Sequence, residues 1–141
     1  MGAKKTGFEE LSADLEHAVK EALPGARKIM AKTCLEIKKE AQRIIRGASH
    51  REYLPHYPRS ISYDTEIQGA TVRGEVGPEI GRLQAGLGTI LEDGTVHSPP
   101  IPHIAPALDK EENTFYAYMD ELLEKLLEGA EVQGAPVVDA E

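Results

Sequence analysis

From Ile29 to Ile45, apolar and small side chains recur at steps of three and four: Ile29, Met30, Thr33, Cys34, Ile37, Ala41, Ile44 and Ile45. Lys28, Lys32, Lys38, Lys39 and Arg43 fill the intervening face. That period belongs to an α-helix with one side buried, not to a strand. About 20 residues of such a helix span roughly 30 Å. A stripe of that length needs cover, so the rest of the chain is constrained to pack against it. Upstream, Leu11, Leu15, Ala18, Val19 and Ala22 carry the same period from near Glu9. Pro24-Gly25 stands between the two runs. Proline in a helix interior removes a hydrogen bond and crowds the preceding turn, so a break is expected there. Gly47 is the expected stop.

The period changes beyond residues 48–60, an aperiodic stretch holding Pro55 and Pro58. Ile61, Tyr63, Thr65 and Ile67 share one parity, and Val72, Gly74 and Val76 follow a turn at Gln68-Gly69. Alternation around a glycine turn predicts a β-hairpin, closed by Gly77-Pro78. Leu83, Leu87, Ile90 and Leu91 favour a short helix within residues 80–94, with a strand as the alternative. Gly86 and Gly88 weaken that helix by about 1 kcal/mol each relative to alanine. His97 to Pro106 is a proline-rich extended strip. Asp109 and Glu112 have capping-box-like spacing, which predicts a helix start at Asp109. Phe115, Met119, Leu122 and Leu126 form its stripe, and Gly129 is the expected end. The expected organisation is a flexible leader (1–8), one α+β domain (9–128) and a disordered acidic tail (129–141). In that domain a long N-terminal amphipathic helix and a C-terminal helix pack on a small antiparallel β-sheet.

Charge is distributed unevenly. Residues 1–60 hold 12 basic and 8 acidic side chains, or +4; residues 61–141 hold 4 and 16, or −12. Tight general binding to nucleic acid needs clustered basic side chains, and here they alternate with acids. The split is first that of a soluble chain with a solvated acidic helix; read functionally, it fits subunits that stack head to tail or an acidic wall that does not grip nucleic acid. Cys34 is the single cysteine, which rules out an intramolecular disulfide. No stretch approaches the roughly 20 apolar residues of a membrane span.

Motifs of catalysis are missing. There is no GxSxG elbow, no HExxH and no GK[ST] loop. His97, His103 and Glu92 are the residues a small metal-dependent hydrolase would use. An H-x5-H spacing inside a proline strip is a poor ligand frame. Cys34 lies on the apolar side of its helix, as a structural thiol does. The expectation is a non-enzymatic protein without metal or cofactor.

Four short segments occur in a recognisable order. They are Arg59-Ser60-Ile61 leading into the hairpin, Leu91-Glu92-Asp93-Gly94-Thr95, Ser98-Pro99-Pro100-Ile101-Pro102, and Ala105-Pro106-Ala107-Leu108 before the last helix. With the lysine-rich helix before them, they span about residues 10–128. This order resembles the small tail-component or tail-completion family of long-tailed bacteriophages. An aromatic residue usually follows the Pro-x-Pro strip in that family, where this chain has His103.

The resemblance implies a structural virion protein of the head–tail junction, assembled in the host cytoplasm. It implies a homo-oligomeric ring, of about six subunits, that closes by a heterologous interface. Its partners would be neck or connector proteins and the tail tube, with DNA at most passing through the lumen and no membrane involved. By the same analogy, the interface is expected at Leu83, Leu87, Leu91, Glu92, Gly94, Thr95, Pro99, Pro100, Pro102 and His103. Prolines stiffen such a strip and glycines allow close approach. The alternative reading is an intracellular adaptor that binds a partner through the C-terminal helix at Leu122 and Leu126.

Overall fold

A computed structural model of the chain describes residues 7–48 and 54–133. The segments expected to form a leader and a tail therefore fall largely outside the described residues. The fold class is α+β, as the two periods require. Helix α1 (Gly7–Gly47) is followed by a single turn of helix, α2 (Tyr57–Ser60). Strands β1 (Ile61–Gln68) and β2 (Thr71–Pro78) come next, then a 3-10 turn (Ala85–Leu87), α3 (Gly88–Asp93) and α4 (Ile104–Gln133).

The sheet is a two-stranded antiparallel hairpin, with Ile61 opposite Pro78 and Gln68 opposite Thr71. The turn residues are Gly69 and Ala70, and Gly69 has φ +60, which glycine tolerates best. Tyr63 pairs with Val76 and Thr65 with Gly74, so one parity of both strands faces α1. Gly74 marks the closest approach: a Cβ there would lie 2.6 Å from Cys34 Sγ and 2.7 Å from Met30 Sδ. Arg27 holds the hairpin further out, its Nη2 donating to Thr65 O at 3.4 Å.

Helices α1 and α4 run antiparallel. Lys110 Nζ lies 3.1 Å from Glu40 Oε2, Lys32 Nζ donates to Tyr118 Oη at 3.0 Å, and Leu122 rests on Gly25. The Lys32 ammonium also sits 4.4 Å from the centre of the Tyr118 ring. The hairpin and α4 thus cover two flanks of the α1 stripe. The innermost cluster is Ile37, Ala41, Ile45, Leu54, Tyr57, Ile61 and Ala107, at the C-terminal end of α1.

Two boundaries differ from expectation. Helix α1 continues through Pro24 for 41 residues, roughly 60 Å. Proline costs a helix interior about 3 kcal/mol. Packing across the site offsets that cost, because α4 bridges it. Gly25 lets Leu122 approach to 2.8 Å from where a Cβ would stand. Helix α4 begins at Ile104, not Asp109, and extends past Gly129 to Gln133. Its start is set from outside the helix, as described below.

Placing a side chain at Gly74 forces the hairpin off α1. Gly74→Val is expected to destabilise the fold by about 1–3 kcal/mol, the usual range for overpacking. Thr71→Val, at an exposed strand position, should change it little. Urea unfolding midpoints compare the two.

The ion pair between the helices is sensitive to acid. Hydrogen bonds from Arg43 and then Lys110 hold the Glu40 carboxyl below its ordinary value of 4.5, at about 2. A carboxylate with a lowered folded value stabilises above its unfolded value and loses that contribution as pH falls toward the folded one. The stability gap between the native chain and Glu40→Gln should therefore close as pH drops from about 4.5 to about 2. Unfolding midpoints across that range test it; a constant gap would refute the ion pair's role.

Candidate docking surface

Residues 79–103 join the hairpin to α4 and wrap the core end of α1. Their layout follows from a few close contacts. Gly88 lies under the hairpin end, where a Cβ would meet Pro78 Cγ at 2.6 Å and Tyr57 Oη at 3.3 Å. Gln84, with φ +63, turns its side chain back to Tyr57: its Oε1 accepts from His56 N at 2.8 Å and Tyr57 N at 3.0 Å. Those are amide donors at the start of α2, which has no local side-chain cap.

Glu92 performs the same service for α4. One carboxylate oxygen accepts from Ile104 N at 2.8 Å and Ala105 N at 2.9 Å, and the other from His103 N at 2.7 Å. The next residue, Pro106, has no N–H to satisfy. One carboxylate and one proline thus account for every donor around the first turn. The negative charge also sits at the positive end of the helix dipole. The Asp109–Glu112 capping box predicted from sequence is unused, since both residues lie inside α4.

His103 is fully buried, and both ring nitrogens are engaged. Nδ1 lies 3.0 Å from Ile101 O and 3.3 Å from Glu92 Oε2, two acceptors, so it carries the hydrogen. Nε2 then accepts from Tyr57 Oη at 2.7 Å. The two rings meet edge to face at 5.3 Å. Burial, aided by the Glu92 charge, pushes the Tyr57 hydroxyl up to about 12, so it remains a donor at neutral pH. Ser60 Oγ donates to Tyr57 O at 2.6 Å.

Gly94 ends α3 with φ +76, its N–H returning to Ile90 O at 2.8 Å. A Cβ on Gly94 would lie 2.8 Å from Pro100 N. Thr95 and Ser98 close the loop by mutual backbone bonds, and Ile101 N donates to Leu91 O at 2.6 Å.

The ten residues expected at an interface therefore divide. Leu83, Thr95, Pro99, Pro100 and Pro102 are exposed. Leu87 and Leu91 pack on the core, Glu92 and Gly94 form the clasp, and His103 presents no side chain outward at all. His103, expected at the interface, is instead fully buried. The same contacts dispose of Glu92, His97 and His103 as a metal set. His103 and Glu92 are spent on Tyr57 and on α4, and His97 is exposed. No group of three or more His, Cys, Asp or Glu side chains among the described residues is placed to hold a metal. Burial raises the Cys34 thiol, as expected of a structural cysteine.

Sequence reasoning missed the most exposed apolar side chains of this layer, Ile80 and Val96, each 98% exposed. Ile80 lies with Arg82 and Thr89 around a depression of about 480 Å³. A large branched residue between Gly94 and Pro99, or just past Gly77-Pro78, has no periodic partner. That mismatch was the available signal. On α4, Leu122 and Leu126 are half-buried, while Leu123 and Leu127 are exposed, so the latter pair is what α4 offers a partner.

Comparison with protein-family models, with curated proteins and with solved structures finds no match. Among the described residues, no helix is long and apolar enough to cross a membrane.

Removing the clasp tests its weight. Glu92→Ala is expected to cost about 1–3 kcal/mol, since two part-buried amide donors and one exposed one lose their charged acceptor. Glu92→Gln should cost less, because one amide oxygen still accepts. Asp93→Ala, at the exposed neighbour, is the control. Amide exchange at Ile104 and Ala105 should accelerate in Glu92→Ala; unchanged exchange would refute the cap.

Proposed function

We propose that this chain is a non-enzymatic structural subunit of a bacteriophage head–tail junction, a tail-completion or neck-ring component that joins tail to head within the virion. The observation that carries the reading is the convergence of its four resemblance motifs. They are scattered between Arg59 and Leu108 in sequence, yet they meet around one clasp. Ile61 and Ala107 share the core cluster, Leu91 O accepts from Ile101 N, Glu92 caps Ile104 and Ala105, and Gly94 lies against Pro100. Motifs matched by accident have no reason to build a single structural joint. His103 stands where the family usually has an aromatic, and its buried ring packs edge to face on Tyr57 as an aromatic would.

The exposed apolar side chains agree with a protein that works in company. Ile80, Leu83 and Val96 at the core end, and Leu11, Leu15, Leu123 and Leu127 at the other, lie open on one chain. Singly exposed apolar residues are ordinary, but groups at both ends of a small domain mark contact surfaces. Neck and tail-tube proteins at one end and sister subunits at the other are the partners this reading assigns.

Deletion of the gene from the phage that carries it is the direct test. Electron micrographs of the lysate should show filled heads and tails unjoined, with joining restored by the native gene in trans. Infectious, joined particles lacking the protein would refute the reading.

A further inference from the structure

The outer face of α1 carries a charge pattern that the fold uses only in part, through Lys32 on Tyr118 and Arg43 on Glu40. At about 100° per residue, Lys28, Lys32, Lys39, Arg43 and Arg46 fall within an arc of roughly 60°. Glu10, Asp14 and Glu21 fall on the same arc, in the N-terminal half. This arc lies opposite the buried Cys34, Ile37 and Ala41 and borders α4 at one edge, where Lys32 meets Tyr118. One continuous face is therefore acidic along its first half and basic along its second.

The spacing is regular. Each acid has a basic residue 18 positions on: Glu10 with Lys28, Asp14 with Lys32, Glu21 with Lys39. Eighteen residues make five turns, so the match preserves the face and shifts it by roughly 27 Å. No pair so separated can meet within one rigid helix. Within one turn Glu21 pairs with His17, Lys39 with Glu36 and Arg43 with Glu40, while Lys32 reaches Tyr118 of α4 and keeps its charge exposed. The far end of α4 reinforces the acidic half, with Asp120, Glu121, Glu124 and Glu128 against Lys125. Antiparallel packing places that segment beside the acidic half of α1.

We infer that the basic half of the α1 outer face is the docking site for a second copy of this chain, which lays its own acidic half alongside, shifted by about half a helix. The inference rests on the assembly-subunit reading above and names the partner of one of its faces. Charge complementarity selects the partner. Two parallel copies aligned without a shift set acid against acid and base against base, which is repulsive. An antiparallel pair would stop at a dimer, an outcome the measured mass separates from the shifted contact and that overturns it. A shift of 18 residues pairs all three acids with bases. The contact is heterologous: each copy uses its acidic half toward one neighbour and its basic half toward the other. Such a contact continues until it closes into a ring or extends as a stack. The exposed Leu11, Leu15, Leu123 and Leu127 travel with the acidic half and supply apolar area at its margin.

The side chains chosen for the test are off the core, so the variants keep the fold, which circular dichroism verifies. One variant, Lys28→Glu with Lys39→Glu, reverses the basic half. A second, Glu10→Lys with Glu21→Lys, reverses the acidic half. Absolute mass by light scattering is read over a concentration series of the full chain. The native chain should associate, and raising salt from about 0.05 to about 0.5 M should weaken it by screening. Each single-half variant should need roughly tenfold or more higher concentration to associate, from like-charge contacts. The chain carrying all four changes, and an equimolar mixture of the two variants, should both recover association. Recovery is the decisive readout, since damage to the fold would not be repaired by further changes. A native oligomer indifferent to the reversals, or a four-change chain that stays apart, overturns this contact while leaving the head–tail reading to its deletion test. A native chain that remains monomeric at low salt across the series also overturns it.

Discussion

The carboxylate of Glu92 at the start of α4 is the contact on which the arrangement of the chain depends. Helix α4 emerges from a proline strip, so it has no preceding residue suited to cap it. Pro102 precedes its first residues and Pro106 lies in its first turn. Without Glu92 the part-buried donors of His103 and Ile104 would lose their acceptor. Glu92 supplies acceptors to three consecutive amides from the far side of a loop. Its own position follows from the close packing of α3, where Gly88 leaves no room for a Cβ against Pro78 and the Tyr57 hydroxyl. Once that end of α4 is set, its direction follows, and Lys110, Tyr118 and Leu122 meet α1 in register.

A buried hydroxyl and imidazole beside a carboxylate resemble catalytic equipment, yet here each group is engaged by the fold. Tyr57 donates to His103, His103 donates to a backbone carbonyl, and Ser60 closes the turn below. Among the described residues, no buried side-chain nitrogen or oxygen lacks a partner. A satisfied polar cluster adds less net stability than an apolar one of equal volume, but it admits few alternative packings. That selectivity matters in a small core with little aromatic content, where aliphatic side chains alone specify packing weakly.

The elements visible in the sequence were those announced by period. The α1 stripe at Ile37, Ala41 and Ile45 is the core, and the parity of Ile61, Tyr63 and Thr65 does face α1. What escaped was set by distant contacts. Pro24 carries a local penalty that reads as a break, and only the packing of Leu122 at Gly25 explains why the helix continues. Asp109 and Glu112 have the spacing of a cap, but a carboxylate 12 residues before Ile104 had already claimed the first turn. Of the ten residues expected at an interface, half were recruited to core or clasp. Sequence shows that a segment is irregular and apolar, not which of its side chains turn inward. The consequence is visible at His103, whose polarity suggested the surface and whose ring lies fully buried.

The helix that dominates the molecule is longer than its core requires. Buried side chains on α1 begin only at Thr33 and Cys34, and residues 9–20 are all exposed. An isolated helix of that length is marginal in water, so this half draws little support from its own hydrogen bonds. Glu10 and Asp14 lie about four to five turns from the nearest base on their arc, Lys28, too far to help within one copy. A helix gains from such an arrangement only when another molecule brings the halves together. The shifted pairing inferred for α1 therefore gives its exposed half a partner, and it makes an unbroken passage through Pro24 useful. A break there would rotate the acidic half off the arc it shares with the basic one.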